Sequence, residues 1–169
     1  QRLLDLPVGG GDSEHLPGEL VLMQMRRQPD SSELASLLRR EGLSARTRVR
    51  AMLLLSEQLE SQGQLSEAAD IVLEAASSGG SVMEGALASE RAARLSMRLL
   101  GESASAPAAR ARARSALALL CEQYPELQGI DDWRLAAARV ARQDEDLEAA
   151  RAFLESITPG VEPRLAAIV

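Results

Sequence analysis

Between residues 44 and 80 the chain alternates apolar positions three and four residues apart, breaks at a glycine, and then resumes the same spacing. Met52, Leu55 and Leu59 fall on one stripe, which predicts a helix from Ser44 to about Gln62. Gly63 ends that helix, because glycine accepts the left-handed angles of a helix terminus. A second helix starting at Ser66 carries Ala68, Ala69, Val72 and Ala75 and halts at the Ser-Ser-Gly-Gly run ending at Gly80. Upstream, Pro7, Gly9, Gly10, Gly11, Pro17 and Gly18 mark residues 1–18 as a flexible segment. Helical spacing begins near Glu19, with Leu20, Leu22, Met23 and Met25, and stops before Pro29. Asp30 or Ser31 then caps a short helix that holds Leu34, Leu37 and Leu38 and ends by Gly42.

Downstream, Ser81 and Glu84 have the spacing of a capping box, opening a helix that continues to Leu100 and meets Gly101. Pro107 suits a first helical position, and the helix behind it carries Leu117, Leu119, Leu120 and Cys121 before Tyr124 and Pro125 close it. Asp131 or Asp132 opens another, with Trp133, Leu135 and Val140. The acids at 144–146 favour the start of the last, which holds Leu147, Ala150, Phe153 and Leu154 and reaches Pro159. About eight helices result, paired as consecutive antiparallel hairpins.

Composition narrows the class. Aromatic residues make up only 2% of 169 residues, while Ala, Leu and Arg dominate, so the expectation is all-α. Residues 19–169 suit one domain able to bury its own core. The single cysteine, Cys121, excludes an internal disulfide framework and a cysteine-based zinc cluster. No apolar run approaches the roughly 20 residues that cross a bilayer, so the expectation is a soluble domain of cytoplasm or periplasm without membrane insertion. Because the chain opens at Gln1, a signal, an anchor or further domains are expected upstream. All 19 basic residues are arginine, a bias that a GC-rich coding sequence explains without invoking a site.

The net charge of -6 is unevenly spread. Residues 1–85 hold 8 arginines against 13 acids, residues 86–121 hold 6 against 2, and residues 122–169 hold 5 against 10. A basic middle lies between acidic flanks.

The hairpin from Val49 to Gly80 resembles a tetratricopeptide repeat. Met52, Leu55, Ser56 and Leu59 match the large, large, small, large positions of its first helix; Gly63 falls at the turn; Leu65, Ala68, Val72 and Ala75 match the second helix. Gly80 stands where the family closes on proline. The next pair is similar through Gly101, Ala113, Leu117, Leu120 and Pro125, although Arg94 stands where a small residue is expected. In the last pair, Leu147, Ala150, Leu154 and Ile157 align with Leu65, Ala68, Val72 and Ala75. The resemblance implies a right-handed stack of antiparallel hairpins, an α-solenoid, that binds a peptide or partner protein in a groove lined by the first helix of each pair.

Arg91, Arg94 and Arg98 share one stripe, and Arg139 with Arg142 form a shorter one. On the resemblance, both would line that groove and favour a protein or acidic peptide. The family's carboxylate clamp is not reproduced, since Leu53 and Leu135 stand at clamp positions. The competing reading has these arginines form a solvated face or pair with the acidic flanks. Nucleic acid is disfavoured by an isoelectric point of about 4.9 and few aromatics.

Catalytic machinery is not visible. His15 lies in the glycine-rich segment, Cys121 reads as a buried small hydrophobe, the acidic pairs read as helix-dipole partners, and the five methionines read as core filler. No catalytic residue, cofactor or metal is expected. The expected role is a non-enzymatic binding scaffold, and the alternative is a self-associating or spacer module of a larger, catalytic protein.

Overall fold

The computed structural model describes Leu20, Leu22, Met23 and residues 30–78, 81–102 and 106–159. His15, the 1–18 segment and most of the first expected helix lie outside the described residues. Among those described there are seven helices and no strand: α1 (Ser31–Leu38), α2 (Ala45–Ser61), α3 (Leu65–Ser77), α4 (Val82–Glu102), α5 (Pro107–Gln123), α6 (Ile130–Gln143) and α7 (Leu147–Glu155). The chain is all-α.

Helix starts follow from side chains that take up exposed backbone donors. The Asp30 carboxylate accepts from the Ser32 and Glu33 amides, the Ser44 hydroxyl from the Thr47 amide at 3.1 Å, and the Asp146 carboxylate from the Ala149 amide at 3.0 Å. At α4 the capping box closes in both directions. The Glu84 amide donates to the Ser81 hydroxyl at 3.3 Å, while the Ser81 amide donates to Glu84 Oε2 at 3.4 Å. Pro107 occupies the first turn of α5.

Three boundaries differ from the expectation. Helix α3 begins at Leu65, capped by Gln64 without a side-chain bond, because the tight turn before it already bonds the backbone. Helix α4 runs through Gly101 to Glu102, since a glycine only ends a helix when it adopts a left-handed φ, and Gly101 is not among those with positive φ. Helix α6 starts at Ile130 behind Gly129, which has φ +80°, leaving Asp131 and Asp132 inside the first turn.

Two turns share one geometry. Gly63 has φ +78° and Glu145 has φ +61°. In each, the following amide reaches back to a carbonyl five residues earlier: Gln64 to Leu59 and Asp146 to Ala141, both at 2.9 Å. That bond satisfies a terminal carbonyl and reverses the chain in a Schellman-type turn.

Each helix packs on its neighbours in sequence, and contacts also join α2 to α4 and α3 to α5. The core mixes large side chains with many alanines. Leu34, Leu37, Val49, Val72, Leu117, Leu120 and Val140 are fully buried, each worth about 1.5–3 kcal/mol of transfer free energy if fully exposed on unfolding. Between them lie Ala68, Ala69, Ala75, Ala88, Ala92, Ala93, Ala113 and Ala116, all at 0% exposure, so backbones approach closely. Gly85 serves the same purpose on α4. A Cβ there would sit 2.1 Å from the Tyr124 hydroxyl oxygen at the end of α5. In the second pair the buried small positions are Ser89, Ala92, Ala93 and Ser96 rather than Arg94, which points to solvent with its side chain 68% exposed.

Candidate interaction surface on the fourth helix

Helix α4 buries one side and exposes the other. Glycine, alanine and serine occupy most of the buried side, whereas the outer side carries Met83 and Leu87, 80% and 56% exposed, followed by Glu90, Arg94, Met97 and Gly101. Met83 was expected in the core; the structure corrects this, because it stands on the solvent side of the first turn. Met23 is likewise exposed and Met97 half-buried, and of the four described methionines only Met52 is buried. On this face lies a groove of about 630 Å³, its apolar lining Leu87, Leu95 and Met97, reaching Glu60 on α2.

The arginines expected to line a groove are divided by the structure. Arg91, Arg94 and Arg98 do line this one, whereas Arg139 and Arg142, exposed on α6, do not. The three that line it already have carboxylate partners. Arg91 donates to Glu57 at 3.1 Å and to Glu60 at 2.8 Å. Arg94 donates to Glu90 at 2.7 Å, and Arg98 to Glu102 at 3.3 Å and Glu60 at 3.4 Å. An incoming carboxylate would therefore compete with partners held on the same surface, and each such exposed pair is worth only about 0–1 kcal/mol.

The same pairing accounts for the arginine-rich middle of the chain. All six arginines of the basic middle meet acids. Arg91, Arg98 and Arg112 reach back to Glu57, Glu60 and Asp70, while Arg110 and Arg114 reach forward to Asp144 and Asp146. Arg112 holds Asp70 with two bonds, at 2.6 and 3.0 Å. Arg94 pairs within its own helix. The pairs between helices span 30 to 42 residues, close to the length of one hairpin.

A further clasp joins α2 to α4. Glu84 Oε1 accepts from Arg46 Nε at 3.1 Å and from Arg50 Nε at 2.6 Å. The Ser81 hydroxyl, followed by these two guanidiniums, holds the Glu84 carboxyl down at about 2. At the other end, Arg134 bonds Asp131 at 2.8 Å and the Thr158 amide adds a bond at 3.3 Å, so Asp131 is also held below the usual carboxylate range. Asp131 is thus more than a dipole partner: it ties the segment after α7 to the start of α6.

Cys121 is buried, and desolvation pushes its thiol up to about 11, the direction of an inert core residue. No group of three or more His, Cys, Asp or Glu side chains able to hold a metal occurs among the described residues, and no described helix is long and apolar enough to cross a membrane. A smaller cavity of about 190 Å³, between α5, α6 and α7, is lined largely by alanines with Arg114, Glu122 and Phe153.

Comparison of the chain with known protein families, with curated proteins and with solved structures finds no match.

Sequence reasoning found the arginine stripe and missed the stripe overlapping it that carries exposed apolar residues. The signal was present: Met83, Leu87, Glu90, Arg94, Met97 and Gly101 recur at alternating intervals of four and three. Only the buried side of the same helix, filled by small residues, shows which stripe faces water.

Proposed function

We propose that this chain is a tetratricopeptide-like stack of helical hairpins acting as a protein-binding scaffold, with the outer face of α4 as its contact surface. The observation that carries the reading is the exposure of Met83 and Leu87 beside a groove whose polar side chains are engaged with one another. Contiguous exposed apolar surface rimmed by polar residues marks interaction sites. The stacking part draws support from the two matching turns at Gly63 and Glu145, and from ion pairs that recur at about one hairpin's length. Each hairpin then buries its faces against its neighbours, leaving an extended surface for a partner. An apolar segment with a few matching charges suits this surface better than a purely acidic peptide, because the arginines already hold Glu57, Glu60, Glu90 and Glu102.

The test is affinity capture with the immobilised chain. Leu87→Asp is expected to abolish specific capture while keeping the helical circular-dichroism signal, and Ala111→Asp, on the exposed side of α5, to leave it intact. Equal capture by all three proteins refutes the proposal.

A further inference from the structure

Granting, as proposed above, that the outer face of α4 is an interaction surface, we infer that its occupant is a second copy of this chain, packed antiparallel along α4 about a twofold axis. Six seam positions carry the case. Residues 83, 87, 90, 94, 97 and 101 alternate in steps of four and three, the spacing that keeps a seam facing a partner helix in a coiled coil. Met83, Leu87, Arg94 and Gly101 are exposed and Glu90 and Met97 half-buried, the opposite side of α4 from Ala88, Ala92, Ala93 and Ser96, which face the core at 0% exposure.

The seam is complementary to itself. In an antiparallel pair centred on position 92, residues equally distant from the centre meet: Glu90 faces Arg94, Leu87 faces Met97, and Met83 faces Gly101. Charge meets charge in the middle, apolar meets apolar on either side, and the most exposed large side chain meets the residue with none. A twofold interface requires this relation, since one patch must serve both partners. A parallel pair would instead set Glu90 against Glu90 and Arg94 against Arg94. The polar central pair fixes the register at some cost in affinity. The seam is about 27 Å long. Arg91 and Arg98, on one flank of the seam, are compensated within their own copy by Glu57, Glu60 and Glu102, so they do not set the two copies repelling each other.

Sedimentation velocity of the 169-residue chain over a concentration series tests this. The wild type is expected to shift from 18.1 kDa towards twice that mass. Leu87→Asp is expected to weaken association at least about tenfold. Glu90→Arg and Arg94→Glu each set like charges face to face and are expected to stay monomeric alone. Mixed in equal amounts, they are expected to form a heterodimer, because two arginines then meet two glutamates. That mixture separates contact between chains from loss of the Glu90–Arg94 pair inside one helix. Leu87 and Arg94 are exposed and Glu90 and Met97 half-buried, and the helical signal of each variant verifies folding. As a check on register, Leu87→Cys with Met97→Cys is expected to oxidise to a covalent dimer, and neither cysteine alone to do so.

A wild type that remains at 18.1 kDa at millimolar concentration overturns the inference, as does a dimer unaffected by the seam variants. If a monomeric wild type captures a different protein and Leu87→Asp abolishes that capture, the self-pairing fails while the interaction surface stands.

Discussion

Replacing Gly85 by alanine sets two effects of opposite sign against each other. Within a helix, alanine is favoured over glycine by about 1 kcal/mol, so the change stabilises wherever the new methyl has room. Here it has none. The added Cβ would lie 2.1 Å from the Tyr124 oxygen and 3.3 Å from Cζ, so the ring must leave its place. Tyr124 is half-buried against the core. A tyrosine buries roughly 150–250 Å², and displacing about half of that at ~25 cal/mol per Å² costs about 2–3 kcal/mol. The net expectation for Gly85→Ala is a loss of about 1–2 kcal/mol. In a Tyr124→Ala background the obstacle is gone, and the same substitution is expected to stabilise by about 1 kcal/mol. The assay is urea denaturation of the four proteins of this cycle, followed by fluorescence of Trp133, which is the only tryptophan and is buried. Stabilisation of equal size in both backgrounds would refute the claim that Gly85 is there to seat the tyrosine.

Glu84→Gln should cost about 1–2 kcal/mol at neutral pH by removing the charge from two arginine bonds, one of them to the exposed Arg46. Because the folded-state pKa is depressed to about 2 from 4.5, this advantage is complete above pH 4.5 and lost as pH falls towards 2; denaturation of both proteins across that range should show the gap closing, and a constant gap would contradict it. The paired turns predict substitutions of opposite sign: Glu145→Gly should stabilise by up to about 1 kcal/mol and Gly63→Ala should destabilise by about 1 kcal/mol, since side chains strain a positive φ, and melting curves that move the same way would count against the shared geometry. Cys121, buried with its thiol raised to about 11, should react with an aromatic disulfide reagent at neutral pH only when urea unfolds the chain; rapid reaction in the native state would contradict its burial.

Much of the helical layout could be read from local rules, because caps and breakers act within a turn. Asp30, Ser44, Ser81, Pro107 and Asp146 all start helices where their chemistry places them. Gly101 misled because its role depends on backbone angle, which composition does not state. The division of arginines was also beyond local reading. Arg91 and Arg139 look alike in sequence, and only packing of α4 beside α2 brings Glu57 and Glu60 under the first. Met83 and Met52 likewise share a residue type, and the face each occupies decides that one is exposed and the other buried.

The ion pairs that join α2 to α4, α3 to α5 and α5 to the turn after α6 bias which helices meet. Glu57, Glu60 and Asp70 before the arginine-rich centre, and Asp144 and Asp146 after it, each meet arginines of that centre. A chain lacking the central block, or one that folded with its ends in contact, would set Glu57, Glu60 and Asp70 facing Asp144 and Asp146 with no cation between them. Like charges in such proximity raise the energy of that misassembly. The arrangement thereby disfavours wrong pairings of these helices, although alanine lines much of their buried faces.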